Sequence, residues 1–178
     1  MNGSKVSLRA LEPGDIDILY KWENDRTIWH LSSTITPLSR FTLEQYVLSA
    51  GQDIFATRQM RMMIDLNVPS EGIKTIGSID LFEFEPAHQR AGVGILIHDG
   101  FRGKGYASEA LELLIRYAFE TLQLHQLFAN IAPDNTDSIR LFENKGFKYI
   151  GTKKEWNRIR NKWQDESMFQ LIHQQGNH

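Results

Sequence analysis

The chain has 178 residues, of which 41% are hydrophobic and 24% charged, enough length and apolar content for one globular domain with a buried core. Its 20 Lys+Arg against 22 Asp+Glu leave a formal charge of −2, so there is no overall electrostatic footprint for a nucleic-acid backbone. With no Cys, disulfide scaffolds, thiolate metal sites and Cys nucleophiles are excluded, and any thiol in a reaction must arrive on a cofactor.

Val6, Leu8 and Ala10 alternate with polar residues and predict a first strand, after which Glu12-Pro13-Gly14-Asp15 predicts a turn and a helix start. Ile16, Leu19 and Tyr20 mark one face of that helix, and Thr42 to Gln45 have the spacing of a capping box for a second helix closed by Gly51. From Ile54 to Asp99, β-branched and aromatic stretches broken by polar turns predict a three-strand meander over Ala56–Leu66, Lys74–Phe84 and Gln89–His98. Ala107, Ala110, Leu111, Leu114, Ile115, Ala118 and Leu122 then repeat at helical spacing. Leu127–Ile131 reads as a short strand, Asn135–Lys145 as a helix stopped by Gly146, and Phe147–Trp156 and Trp163–Ile172 as a final hairpin. The order β-α-α-β-β-β-α-β-α-β-β, without repeat or linker, predicts a single α/β domain with a mixed sheet over residues 1–172, followed by a tail at 173–178. The polar start and the lack of an apolar run of spanning length predict a cytoplasmic protein with no membrane partner.

The segment from Ile95 to Ala107 runs from a strand through a glycine-rich turn into the longest helix. Gly103 and Gly105 let backbone N–H groups turn inward, the unpaired amides of the first helical turn favour a pyrophosphate, and Arg102 and Lys104 add charge at the rim. Two other phosphate motifs fail on their own residues. A Walker loop needs Ser or Thr directly after its Lys, where this chain has Gly105, and the dinucleotide fingerprint needs a third Gly where it has Ser108.

What remains is R-x-x-G-x-A, Arg102 to Ala107, together with N-x-x-S-x-x-x-F-x-x-x-G-F, Asn135 to Phe147. In this pair of motifs the sequence resembles the GNAT superfamily of acyl-CoA-dependent N-acetyltransferases. Leu8–Asp15 and Trp22–Asp25 resemble the branch containing spermidine and ribosomal-protein N-terminal acetyltransferases, and Gly77–Glu83 with His88–Ala91 are similar to the central strands of the spermidine enzymes.

The resemblance implies a mostly antiparallel sheet with splayed central strands and flanking helices. It also implies acetyl-CoA as cosubstrate, a small primary amine as acceptor, and a homodimer. Main-chain groups of Ile95, Leu96 and Ile97 would hold the pantetheine and the thioester carbonyl. Arg102, Gly103, Lys104, Gly105, Tyr106 and Ala107 would take the pyrophosphate, and Asn135 and Ser138 would flank the pantetheine arm. The acceptor would be a polyamine or similar amine, met by Glu23, Asp25 and Glu83 with Trp29 shaping its site; the alternatives are a protein N-terminus or a module that binds acyl-CoA without turnover.

Asp80 and Glu83 are the candidate catalytic carboxylates. Three apart, they face opposite sides of a regular strand unless a bulge intervenes, and Glu83 is the favoured one. Phe142 stands where many members of the resembled family carry a Tyr that protonates the leaving thiolate. The proton then comes from water or from a substitute such as Tyr106, Tyr149 or His98. None of the six His forms an H-x-x-x-H pair, so no metal is expected.

Overall fold

The structure is a computed structural model that describes residues 1–25, 36–51, 53–67, 73–159 and 161–174. Seven strands form one sheet in the order β1-β2-β3-β4-β5-β7-β6. They are β1 (Val6–Ala10), β2 (Met60–Leu66), β3 (Lys74–Glu85), β4 (Arg90–Ile97), β5 (Gln126–Ile131), β6 (Lys148–Ile159) and β7 (Lys162–Ile172). All neighbours are antiparallel except β4 and β5.

Helices cover both faces. On one face α1 (Ile16–Glu23) and α2 (Arg40–Ser49) bury Leu19, Trp22, Leu43 and Val47 against Met63 of β2. On the other, α4 (Tyr106–Arg116) buries Ala110, Leu111 and Leu114 against Ile79, Leu81, Ala91 and Val93, and α5 (Thr136–Asn144) adds Phe142. This is the period-2 logic of the strands at work: Met62 and Ile64 face α4, whereas Met63 between them faces α1 and α2. The single α/β fold expected from the sequence is the one observed.

Several boundaries differ from the sequence reading. The meander does not begin at Ala56. Residues Ile54–Thr57 form a one-turn helix, α3, because the Asp53 side chain accepts the Phe55 amide and Arg58 closes the turn in the left-handed region at φ 58°. The cap of α2 is Ser39, whose hydroxyl accepts the Thr42 amide at 3.0 Å, rather than Thr42 itself. After Arg116, α4 continues as a wider π turn over Tyr117–Thr121. His173, the first residue of the expected tail, is docked: its amide reaches the His125 carbonyl at 2.9 Å and its ring stacks on Phe119 at 4.5 Å.

Candidate active site

The centre of the sheet is open. β4 and β5 pair only at Arg90↔Gln126, Ala91↔Leu127 and Gly92↔Phe128, and beyond Gly92 the strands part. The amide of His98 donates to the Ile76 carbonyl at 2.9 Å, which sets the phase of the β3–β4 ladder. Alternation then turns the main-chain groups of Leu96 toward Ser78, and those of Ile95 and Ile97 away from β3 into the gap. A Cβ built on Gly77 would lie 2.1 Å from the Leu96 carbonyl oxygen, in keeping with that phase. Of the three residues expected to present main chain, Ile95 and Ile97 therefore face the opening and Leu96 is engaged with β3.

The gap leads to the glycine-rich turn. Gly103 and Gly105 hold φ of 74° and 83°, which side-chain-bearing residues rarely adopt. Gly105 is the N-cap of α4 and no side chain caps that end, so the first-turn amides from Tyr106 and Ala107 onward are available to an anion. The two rim cations are partly committed. Arg102 donates from Nε to the Ile97 carbonyl at 2.8 Å and pairs with Asp99 at 2.8 Å, and Lys104 reaches the Gly100 carbonyl at 3.3 Å. Arg102 thus ties the end of β4 to the turn that follows it.

On the far side of the gap, the Asn135 side chain caps α5 by accepting the Ser138 amide at 3.2 Å. Phe142 is buried, 3% exposed, with its ring edge-on to Phe147 at 5.0 Å between centroids. Of the groups considered as a replacement acid, Tyr106 is half-buried at the start of α4, His98 lies against Trp22, and the exposed Tyr149 is hydrogen-bonded to Thr152 on the outer hairpin.

The carboxylates divide sharply. A bulge does interrupt β3, between Phe82 and Glu85; Glu83 occupies it at φ 47° with its side chain exposed. Asp80 instead lies in the regular ladder, directly opposite Arg61 on β2 and Gly94 on β4. Arg61 donates to both oxygens of Asp80, at 2.8 and 3.1 Å, and from Nη1 to Glu23 at 2.6 Å. Nothing local in the sequence marks Arg61, because its partners lie 38 and 19 positions away.

Burial alone would lower the Arg61 guanidinium, but Asp80, with Tyr46 and Glu23, more than offsets it and raises it above its ordinary value. Burial likewise pushes the nearby Tyr46 phenol up. Asp25 follows the last turn of α1, where its amide reaches the Trp22 carbonyl at 3.1 Å, and Trp29 lies outside the described residues. Among the described residues no group of three His, Asp or Glu side chains is placed to hold a metal ion, and no helix is long and apolar enough to cross a membrane.

A splayed parallel pair feeding an uncapped, glycine-preceded helix is a site for a long ligand with an anionic segment. The model of the acetyltransferase (GNAT) domain matches residues 5–148. The spermidine N(1)-acetyltransferase of Escherichia coli K12 is 32% identical over 148 residues, 82% of this chain and 74% of that one. The spermidine N(1)-acetyltransferase of Vibrio cholerae is 26% identical over 169 residues, 95% of this chain and 94% of that one. A crystal structure of the Vibrio cholerae enzyme in complex with CoA and spermine superposes with a TM-score of 0.83 at 26% identity, covering 96% of each chain. The chain belongs to the GNAT family of acyl-CoA-dependent N-acetyltransferases.

Proposed function

We propose that this protein transfers the acetyl group of acetyl-CoA directly to a primary amine in a ternary complex, with a polyamine or similar small amine as acceptor. The observation that carries the reading is the opening between β4 and β5, which ends at the free amides of α4 behind Gly103 and Gly105. The cosubstrate supplies an activated acetyl group as its thioester. The chain's own part is to bind and orient. The first-turn amides of α4 receive the pyrophosphate, the Ile95 and Ile97 main chain faces the pantetheine and the thioester carbonyl, and Asn135 and Ser138 flank the arm from α5.

In the transfer, the amine nitrogen gains the acetyl group and loses a proton, while the sulfur keeps the electron pair of the broken C–S bond and ends protonated. Asp80 of β3, directly opposite Gly94 of β4, is better placed than the exposed Glu83 to meet the incoming amine, itself or through water. With Phe142 buried, the thiolate takes its proton from water; loss of one general acid typically costs about a hundred- to ten-thousandfold and leaves a working reaction.

The polyamine assignment draws on the relatives named spermidine N(1)-acetyltransferase. Charge supports it less than the sequence suggests, because Glu23 and Asp80 share Arg61, and Glu85 pairs with Arg58 at 3.3 Å. The test is thiol release from acetyl-CoA with a panel of spermidine, spermine and N-terminal peptides. Faster release with the polyamines is expected; preference for the peptides would move the acceptor to protein N-termini. Tight binding of acetyl-CoA without amine-dependent release would make the protein a binding module. Gly105→Asp places a carboxylate against the pyrophosphate and is expected to abolish measurable CoA binding in calorimetry.

A further inference from the structure

We propose that Arg61 is a positioning residue for acetyl transfer, fixing the Asp80 carboxylate beside Gly94 at the mouth of the β4–β5 opening and coupling it to α1 through Glu23. The inference rests on the acetyltransferase reading above and adds a residue to it.

Arg61, Asp80 and Gly94 are consecutive partners across β2, β3 and β4, so they form one row on the face that α1 and α2 cover. Directly opposed residues of an antiparallel pair project to the same side of the sheet. The row ends at Gly94, which has no side chain; among the described residues a Cβ there would lie 3.8 Å from the Phe82 ring and 4.0 Å from Asp80 Oδ2. Gly94 stands two residues past the last β4–β5 pair and one before Ile95, whose main chain faces the gap. The carboxylate is therefore held next to the stretch of β4 proposed to present the thioester.

Arg61 holds it with the fork of its guanidinium. Nε and Nη2 take the two oxygens of Asp80 while Nη1 takes Glu23, a division that the point charge of a lysine cannot copy. The three side chains are also shielded, with exposures of 22% for Arg61, 27% for Asp80 and 18% for Glu23. Half-buried ion pairs like these contribute little net stability compared with apolar residues of the same size, so orientation is the more economical account of them.

Arg61→Lys keeps the charge and the stem and removes the fork. Turnover is expected to fall about ten- to hundredfold, the loss that misplacing a reacting group produces, with CoA affinity in calorimetry unchanged. Asp80→Asn is expected to fall to a similar level, and the double variant no further than either single one, since both remove the same positioned carboxylate. Wild-type kcat and KM in Arg61→Lys with only a lowered Tm would overturn the proposal and leave Arg61 a structural residue; so would losses that multiply in the double variant.

Should Arg61→Lys fail to fold, Gly94→Ala probes the same row from its open end. Among the described residues the added methyl meets ordinary contacts, 3.8 Å to Phe82 and 4.0 Å to Asp80, so the ladder is kept. Because the methyl takes up the space beside the Asp80 carboxylate that Arg61 fixes, turnover is expected to fall with CoA affinity intact; wild-type turnover would show that the row does not meet the amine and would overturn the proposal. Absence of amine-dependent thiol release in the wild-type protein is a different result, which removes the acetyltransferase reading itself.

Discussion

Three glycines of the central strands look alike in the sequence and have three different reasons to be there. A Cβ on Gly77 would lie 2.1 Å from the backbone oxygen of Leu96, and one on Gly92 would lie 2.3 Å from the Phe82 ring. At Gly94 the nearest atoms among the described residues are at 3.8 and 4.0 Å, ordinary van der Waals contact. Alanine scanning should therefore separate them. Gly77→Ala meets backbone, which cannot give way without opening the ladder, and Gly92→Ala displaces a ring that is edge-on to Phe128 at 5.7 Å. Each is expected to cost about 1–3 kcal/mol by overpacking, read as a lowered denaturation midpoint, whereas Gly94→Ala is expected to hold or slightly raise stability. Phe142 is the converse case. Buried at 3% and packed on Phe147, it is expected to lose about 3–5 kcal/mol on truncation to Ala, a cost that belongs to the core and not to proton transfer.

At the scale of elements, the opening strand is joined to the rest of the fold by charge. Arg9 donates from Nη1 and Nη2 to the two oxygens of Asp15, both at 2.7 Å, from Nε to Asp65 at 2.7 Å, and to the Thr75 hydroxyl at 3.1 Å. One side chain of β1 thereby connects the Pro13–Asp15 turn, β2 and β3. Burial alone would raise the Asp15 carboxyl, but the hydrogen bonds from Arg9 and the Glu12 amide outweigh it and hold the carboxyl below its ordinary value. A carboxyl lowered in the folded state contributes its full stability above the unfolded value near pH 4, and loses it as pH falls through the folded value. The stability gap between wild type and Asp15→Asn is thus expected to be widest at neutral pH and to narrow below about pH 4 in urea titrations. Arg9→Met, which strands two shielded carboxylates, is expected to cost about 2–4 kcal/mol at pH 7.

None of this network was legible in the sequence, and neither was the row through Arg61. What the sequence did carry was local. The amphipathic spacing of α4, the alternation in β1, and the glycines before α4 each follow from residues within a few positions of one another. Pairings across the sheet depend on register, which a single sequence does not display. The bulge that takes Glu83 out of the β3–β4 ladder, while Asp80 stays in it, arises from strand pairing and not from any residue that marks it. The one-turn helix α3 was hidden for another reason: Ile54 and Phe55 favour strands, and the Asp53 cap with the left-handed Arg58 overrides them.

As a whole molecule, the sheet is two units, β1-β2-β3-β4 and β5-β7-β6, joined by a parallel contact of three residue pairs. The helices also divide across the seam: α4 packs on β1 and β4, and α5 on β5. The proposed cosubstrate site lies in that seam, with Ile95 and Ile97 on one wall and Asn135 and Ser138 on the other. A ligand that spans it replaces missing strand pairing with contacts of its own and is expected to bind the folded chain alone. Binding of that kind stabilises by RT ln(1 + [L]/Kd), about 2.7 kcal/mol at a hundredfold excess over Kd, which for a domain of this size raises Tm by roughly 5–11 °C. Hydrogen exchange should localise the effect, since among the described residues the amides of Ile95, Ile97 and the first turn of α4 have no strand or helix partner. Slowed exchange at those amides, with Leu96 already protected by its pairing to Ser78, is the expected pattern. Protection spread evenly through the outer β6–β7 hairpin, with none at Ile95 and Ile97, would place the cosubstrate elsewhere and take the seam out of the mechanism.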